Sequence, residues 1–346
     1  MNTTEHGSPD PPAPVVPNGP TASAGARRRA AQSLLVVFVA LVVAAAAIVL
    51  AVSRVTSPAP RHTAAGPSLP TAPASYLGVY EPGAPDAYEA VAGFAKAVGK
   101  HPNIAGYFSG WTQPFARSFA ERARAQGAVT LVQIDPTYAS IQQIAAGVYD
   151  GYLRSYADSV RDFGHPVIIG FGHEMNATWY PWGHGHVPAP VFVAAWRHIV
   201  TLFRRQGAGN VTWLWTIQAG ISSTGPVRSW WPGANYVTWV GIDGYYYRPS
   251  ETFARIFGHT IAQVRGFTKR PVLLSETAVA PEAGQFPKIG NLFLGMRKYH
   301  TLGLVWFDIP QSGGFRHRNW RLEDNPTAVL AFRLGIHALT LARPSG

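Results

Sequence analysis

Two glutamates stand where apolar runs end. Glu174 lies in Gly170-Phe171-Gly172-His173-Glu174-Met175-Asn176-Ala177-Thr178-Trp179-Tyr180-Pro181-Trp182-Gly183, directly after Pro166-Val167-Ile168-Ile169. Glu276 closes Arg270-Pro271-Val272-Leu273-Leu274-Ser275-Glu276-Thr277. At the first place a carboxyl, an imidazole and an amide leave a strand together, and the rings of Trp179, Tyr180 and Trp182 follow. Flat amphipathic rings cover sugar faces, and a carboxyl can protonate a glycosidic oxygen. A second carboxyl facing the first would complete glycoside cleavage. One acts as an ionised nucleophile; the other is protonated first and basic later, which needs a raised pKa. Any single strand-end glutamate is more often a cap or an ion-pair partner. Two of them at the ends of strands four and seven, the first followed by three aromatics, favour catalysis.

For the two to face each other, their strands must end at one mouth. From Tyr76 onward, short apolar runs alternate with longer amphipathic ones. The strand candidates are 76–80, 104–108, 130–134, 167–171, 211–215, 237–243, 271–275 and 304–307. Helical candidates are 86–98, 114–126, 150–163, 190–206 and 328–342. Gly127, Gly164 and Gly207 fall where helix C-caps belong. This alternation over about 270 residues predicts a (β/α)8 TIM barrel, whose sites lie at the strand C-termini. Glu174 then belongs to strand four and Glu276 to strand seven.

The N-terminal quarter has a different texture. Residues 1–33, rich in Pro, Ala, Gly, Ser and Thr, read as a disordered cytoplasmic tail. Residues 34–52 form an apolar run of 19, enough to span a hydrocarbon core of roughly 30 Å as a helix. Arg27, Arg28 and Arg29 precede it and favour an N-terminus in the cytoplasm. A cleaved signal peptide is the alternative, with Ala51-Val52-Ser53 as the cleavage site. Either way residues 53–75, a Pro/Ala-rich flexible linker, and the catalytic domain 76–346 are expected outside the cell, anchored by one transmembrane helix or secreted. The formal charge is +11, but the basic side chains of the barrel region are scattered and no nucleic-acid motif is present. The absence of Cys excludes disulfides and thiolate metal sites.

These motifs, in their order and spacing, resemble glycoside hydrolase family 26, best known for β-mannanases. The resemblance covers roughly residues 76–333. Its most specific part is His173-Glu174-Met175-Asn176 with Trp179-Tyr180-Pro181-Trp182-Gly183. Ala195-Trp196-Arg197-His198-Ile199, Asn210-Val211-Thr212-Trp213, the run from Tyr236 to Tyr245, Pro271 to Thr277 and Trp306-Phe307 support it. The resemblance implies a retaining (β/α)8 enzyme with Glu174 as acid/base, Glu276 as nucleophile and Tyr245 bonded to the nucleophile. It implies that His173, Trp179 and Trp306 line the sugar site. The chain departs from the family pattern at Gly170, where many members carry Arg, at Ala177 after Asn176, and at Thr216-Ile217-Gln218, where Ser-Pro-Asn is more usual.

Trp111, just past a strand end, is a further candidate sugar platform, and Asp243 is expected to orient neighbours. His184 and His186 read as loop histidines, because no third ligand stands at zincin spacing. No metal or organic cofactor is expected. Asn176 and Asn210 fit the N-glycosylation pattern, although a glycan on Asn176 would block the groove. The expected activity is hydrolysis of internal β-1,4 bonds in a mannan-type polysaccharide by a monomeric, membrane-tethered enzyme. Mixed-linkage β-glucan and β-1,3-xylan are alternative substrates, and a non-hydrolytic glycan-binding envelope protein is the alternative class.

Overall fold

The computed structural model describes residues 68–220, 226–310 and 318–343. The expected tail, the 34–52 helix and most of the linker lie outside the described residues. Among the described residues no helix is long and apolar enough to cross a membrane.

Eight parallel strands close into a barrel in sequence order. They are β1 (Tyr76–Tyr80), β2 (Ile104–Gly110), β3 (Val129–Asp135), β4 (Val167–Phe171), β5 (Val211–Gln218), β6 (Trp239–Asp243), β7 (Val272–Thr277) and β8 (Gly303–Phe307). The expected (β/α)8 barrel is therefore present. Its strands are buried on both faces, as parallel strands under a helical shell must be; β4 and β8 are buried at every position. Several strands run further into the mouth than the apolar runs indicated: β2 reaches Gly110, β3 Asp135, β5 Gln218 and β7 Thr277.

The shell is made of amphipathic helices. The helix α4 (Asp150–Phe163) buries Leu153, Tyr156, Ala157, Val160 and Phe163 at three- and four-residue spacing. Gly164 ends it at φ 75°, a left-handed cap that glycine adopts without Cβ strain. Before it come α1 (Glu89–Val98), α2 (Arg117–Ala125) and the short α3 (Ile141–Ala145); after it come α5 (Ala189–Arg205), α6 (His259–Arg265), α7 (Gln285–Lys298) and α8 (Pro326–His337). Asn325 caps α8 through its side-chain oxygen, which accepts from Thr327 N and Ala328 N. Pro287, Gly290 and Gly295 hid α7 from a propensity reading. Gly295 is there for packing: a Cβ at that position would lie 2.0 Å from Phe253 Cγ.

Candidate active site

The mouth of the barrel gathers acids from four strands. Asp135 ends β3, His173 and Glu174 follow β4, Asp243 ends β6, and Glu276 is the penultimate residue of β7. The β6–β7 pairing sets Asp243 directly beside Glu276, after a register irregularity. Such bulges re-aim side chains next to active sites. Glu174 is held by its backbone, donating its N–H to Thr216 O at 3.0 Å, and sits at φ 54°. A non-glycine residue in the left-handed region costs roughly 1–2 kcal/mol, a strain that recurs where a functional side chain is being aimed.

One oxygen from each of Glu174, Asp243 and Glu276 lies within 4.8 Å of the other two, and all three residues are buried. Each has a hydrogen-bond donor. Trp179 Nε1 donates to Glu174 Oε2 at 2.7 Å, Tyr245 Oη to Glu276 Oε2 at 2.6 Å, and Ser275 Oγ to Asp243 Oδ1 at 2.5 Å. His173 is gripped at both ring nitrogens, by Asp135 Oδ1 at 2.9 Å through Nδ1 and by Tyr180 Oη at 3.0 Å through Nε2.

Burial dominates the electrostatics and sorts the acids. It raises Glu174, with help from the charge of Glu276, to about 7, although His173 and the Trp179 N–H pull the other way. Burial also raises Glu276, where the His173 charge and the Tyr245 hydroxyl oppose it. Asp243 is pushed well above the carboxylate range by burial and by its two glutamate neighbours. Burial alone would lower His173, but Asp135, through charge and hydrogen bond, and then Glu276 and Glu174 carry it up to about 9. The site at neutral pH thus holds one imidazolium and one carboxyl near its midpoint, beside Glu276, whose upward shift is opposed by His173 and the Tyr245 hydroxyl.

The profile of glycosyl hydrolase family 26 matches residues 128–315, which include both glutamates. The chain belongs to glycosyl hydrolase family 26. Endoglucanase H of Acetivibrio thermocellus is 26% identical over 266 residues, 72% of this chain but 29% of that protein. A β-1,3-xylanase of a Vibrio species is 26% identical over 113 residues, 32% of this chain and 23% of the relative. The chain therefore spans under a third of the length of these relatives. The mannanase structure of Bacillus subtilis superposes with a TM-score of 0.59 at 15% identity, covering 80% of this chain and 88% of that one.

Within this family 26 barrel, the structure brings His173, Glu174, Trp179, Tyr245 and Glu276 together. Trp179 is 42% exposed, so its ring can meet a ligand while its N–H meets Glu174. Trp306 is placed elsewhere. It is fully buried, its ring packs on Phe332 of α8, and its indole N–H is engaged by Asp308 and by Trp320 O. Strand alternation turns Phe307 inward instead, against Tyr80, Phe108 and Tyr245. Trp320 also reaches Tyr245, at 4.9 Å between ring centroids. Trp111 is half-buried and packs edge-on against Tyr149 and Tyr152 and near Phe171, an arrangement of outer-layer packing.

Asp135 is not among the residues the sequence singles out, and Tyr180 stands there only as one of three rings, not as a partner of His173. Asp135 carries the signal that marked the glutamates, an acid closing the largely apolar stretch Leu131-Val132-Gln133-Ile134. The departure at Gly170 has a structural counterpart: a Cβ there would lie 1.8 Å from Gln133 Oε1, so Gln133 fills that space and donates to Thr216 Oγ1 at 3.1 Å. Neither glycosylation asparagine is free to accept a glycan. Asn176 is fully buried and exchanges two hydrogen bonds with the Gln218 backbone, and Asn210 donates to Val160 O and His165 O. His186 meets Thr178 O and His184 packs near Trp230, so both behave as loop residues.

Proposed function

We propose that this barrel is a retaining endo-β-glycanase acting on a polysaccharide outside the cell. The observation that carries the reading is the approach of Glu174 and Glu276, with oxygens within 4.8 Å. Carboxyls about 5–5.5 Å apart suit double displacement, whereas inverting pairs stand roughly 6.5–9.5 Å apart to admit a water. Glu276, ionised and oriented by Tyr245, attacks the anomeric carbon. Glu174, with its pKa carried to about 7, protonates the departing oxygen and later deprotonates the water that releases the glycosyl-enzyme. The His173 imidazolium offsets the charge of the two carboxyls and lines the sugar site with Trp179. This chemistry runs on side chains alone.

Mannan-type β-1,4 chains are the first substrate class, supported by the mannanase likeness of the fold and by the motif resemblance. Mixed-linkage β-glucan is the second, favoured by the sequence match over 266 residues to an endoglucanase. A screen of soluble mannan, β-glucan and β-1,3-xylan with product sizing tests both, and short oligosaccharides from at least one are expected. Binding of all three without release would support a glycan-binding barrel instead. Glu174→Ala and Glu276→Ala should each remove most turnover while leaving the fold intact. The apolar run 34–52 motivates export with membrane tethering. Added protease should cleave the barrel from intact cells; resistance there with cleavage in lysates would place it inside.

A further inference from the structure

A second group of acids lies just beyond the C-terminal ends of β1 and β8. Glu81 follows β1 and Asp308 follows β8, the two strands that complete the barrel, paired in register through Tyr80 and Phe307. Glu323 reaches them from the segment before α8. One carboxylate oxygen of each lies within 4.8 Å of the other two. Acids in a cluster are not by themselves a site, but here one is built. Asp308 is fully buried, and its Oδ1 accepts from Trp306 Nε1 at 3.0 Å and Leu322 N at 2.7 Å. With Oδ1 pinned by two donors, Oδ2 is fixed as well, and it has no partner outside the acid group, where Glu323 lies within hydrogen-bonding reach of Asp308. Glu81, 4% exposed, likewise leaves Oε1 without a partner, and Glu323 leaves Oε2 so. Buried carboxylate oxygens that satisfy nothing are costly, and such groups are paired or coordinate metals. Among the described residues Arg321 is a cation beside them and opposes the upward shifts of Glu81 and Asp308.

We infer that Glu81, Asp308 and Glu323 bind a divalent cation of the hard, oxygen-seeking class, calcium above all, at the β1–β8 seam. Calcium takes oxygen ligands at about 2.3–2.6 Å, so two of its ligands are at most about 5 Å apart, matching the spread of this group. Two N–H donors holding one carboxylate oxygen while the other faces the ion is the outer-shell arrangement that orients metal ligands. The Glu174–Asp243–Glu276 group also leaves Asp243 Oδ2 and Glu276 Oε1 without partners, but all three of its members are met by side-chain donors, whereas among the described residues only Asp308 is here, through Trp306. The cation would join the ends of β1 and β8 to the segment carrying Trp320, which packs on Tyr245 behind Glu276. It is a structural ion, not a participant in bond cleavage. In its absence the cluster carries protons: burial and neighbouring acids push Glu81 up to about 10, and burial with Glu323 pushes Asp308 up to about 8.

The test is thermal unfolding of the full chain, stripped with chelator and titrated with Ca2+, Mg2+ or Mn2+, with calorimetric titration for stoichiometry. Calcium is expected to bind one per chain and to raise Tm by about 5 °C at a hundredfold excess over Kd. Asp308→Asn and the less buried Glu323→Gln should each abolish that rise while keeping a native circular-dichroism spectrum in chelator. No response of the wild-type chain to any of the three ions would overturn the site. So would a calcium response undiminished in a folded Glu323→Gln chain, which would put the ion elsewhere. Stability that is insensitive to ions but falls as pH rises from the ordinary carboxyl range to about 10 would identify a shared-proton cluster, also contradicting the inference.

Discussion

The indole N–H of Trp179 donates to Glu174 Oε2 at 2.7 Å, so a half-exposed ring holds the proposed acid/base. A hydrogen bond to a charged group is worth about 1.5–3 kcal/mol. Trp179→Phe keeps a ring and removes the donor. We expect kcat/KM to fall about ten- to hundredfold, with Glu174 titrating above its present value of about 7, because the N–H now lowers it. The basic limb of the pH profile should move upward. A rate loss with an unmoved limb would assign the residue to sugar binding alone.

Glu174 also links pH to stability. Its pKa is raised on folding, so it is protonated in both states at low pH and contributes nothing there. As pH rises from the ordinary glutamate range to about 7, the unfolded chain ionises freely while the fold resists, and stability declines. Glu174→Gln should therefore stabilise the protein at pH 8 and leave it unchanged at pH 4. Urea unfolding at the two pH values checks this.

Asp135 is the residue that keeps His173 charged. In Asp135→Asn, burial should lower the imidazole toward neutrality at pH 7, and Glu276 would lose the strongest influence holding its pKa down. The acidic limb of kcat/KM should shift to higher pH, read from a full pH–rate profile. A lower rate with an unshifted profile would mean that Asp135 only orients the ring.

The glutamates were legible because an acid ending an apolar run at a barrel mouth has few bland roles once a second one appears. Asp135 obeyed the same rule, with Tyr138 three residues on, but lies outside the motifs that carry the family resemblance. Trp306 shows where the reading fails: in a strand, one residue of parity separates the pocket from the outer layer. The barrel's stagger, set by all eight strands, decides that parity and gives the pocket to Phe307. Trp320 lies in a segment without periodicity, so its approach to Tyr245 is a tertiary fact alone. The helix α7 was hidden by its own glycines, one of which exists to admit Phe253.

Gly170 and Gln133 form a packing pair. Gly170→Ala would drive a methyl into Gln133 Oε1 and displace it from Thr216. Overpacking of this kind costs typically about 1–3 kcal/mol, or a Tm loss of about 2–6 °C. Adding Gln133→Ser should recover most of it. A Gly170→Ala chain as stable as wild type would show that Gln133 moves aside freely.

The central claim is that Glu174 and Glu276 act in turn on one anomeric carbon. Proton NMR of the first reducing ends released, recorded before mutarotation, tests it on whichever β-glycan is cleaved. Two displacements leave the new anomeric centre in the β configuration, and that is the predicted signal. Initial α product would mean that a water attacks directly, which the 4.8 Å approach of these carboxyls leaves no room for.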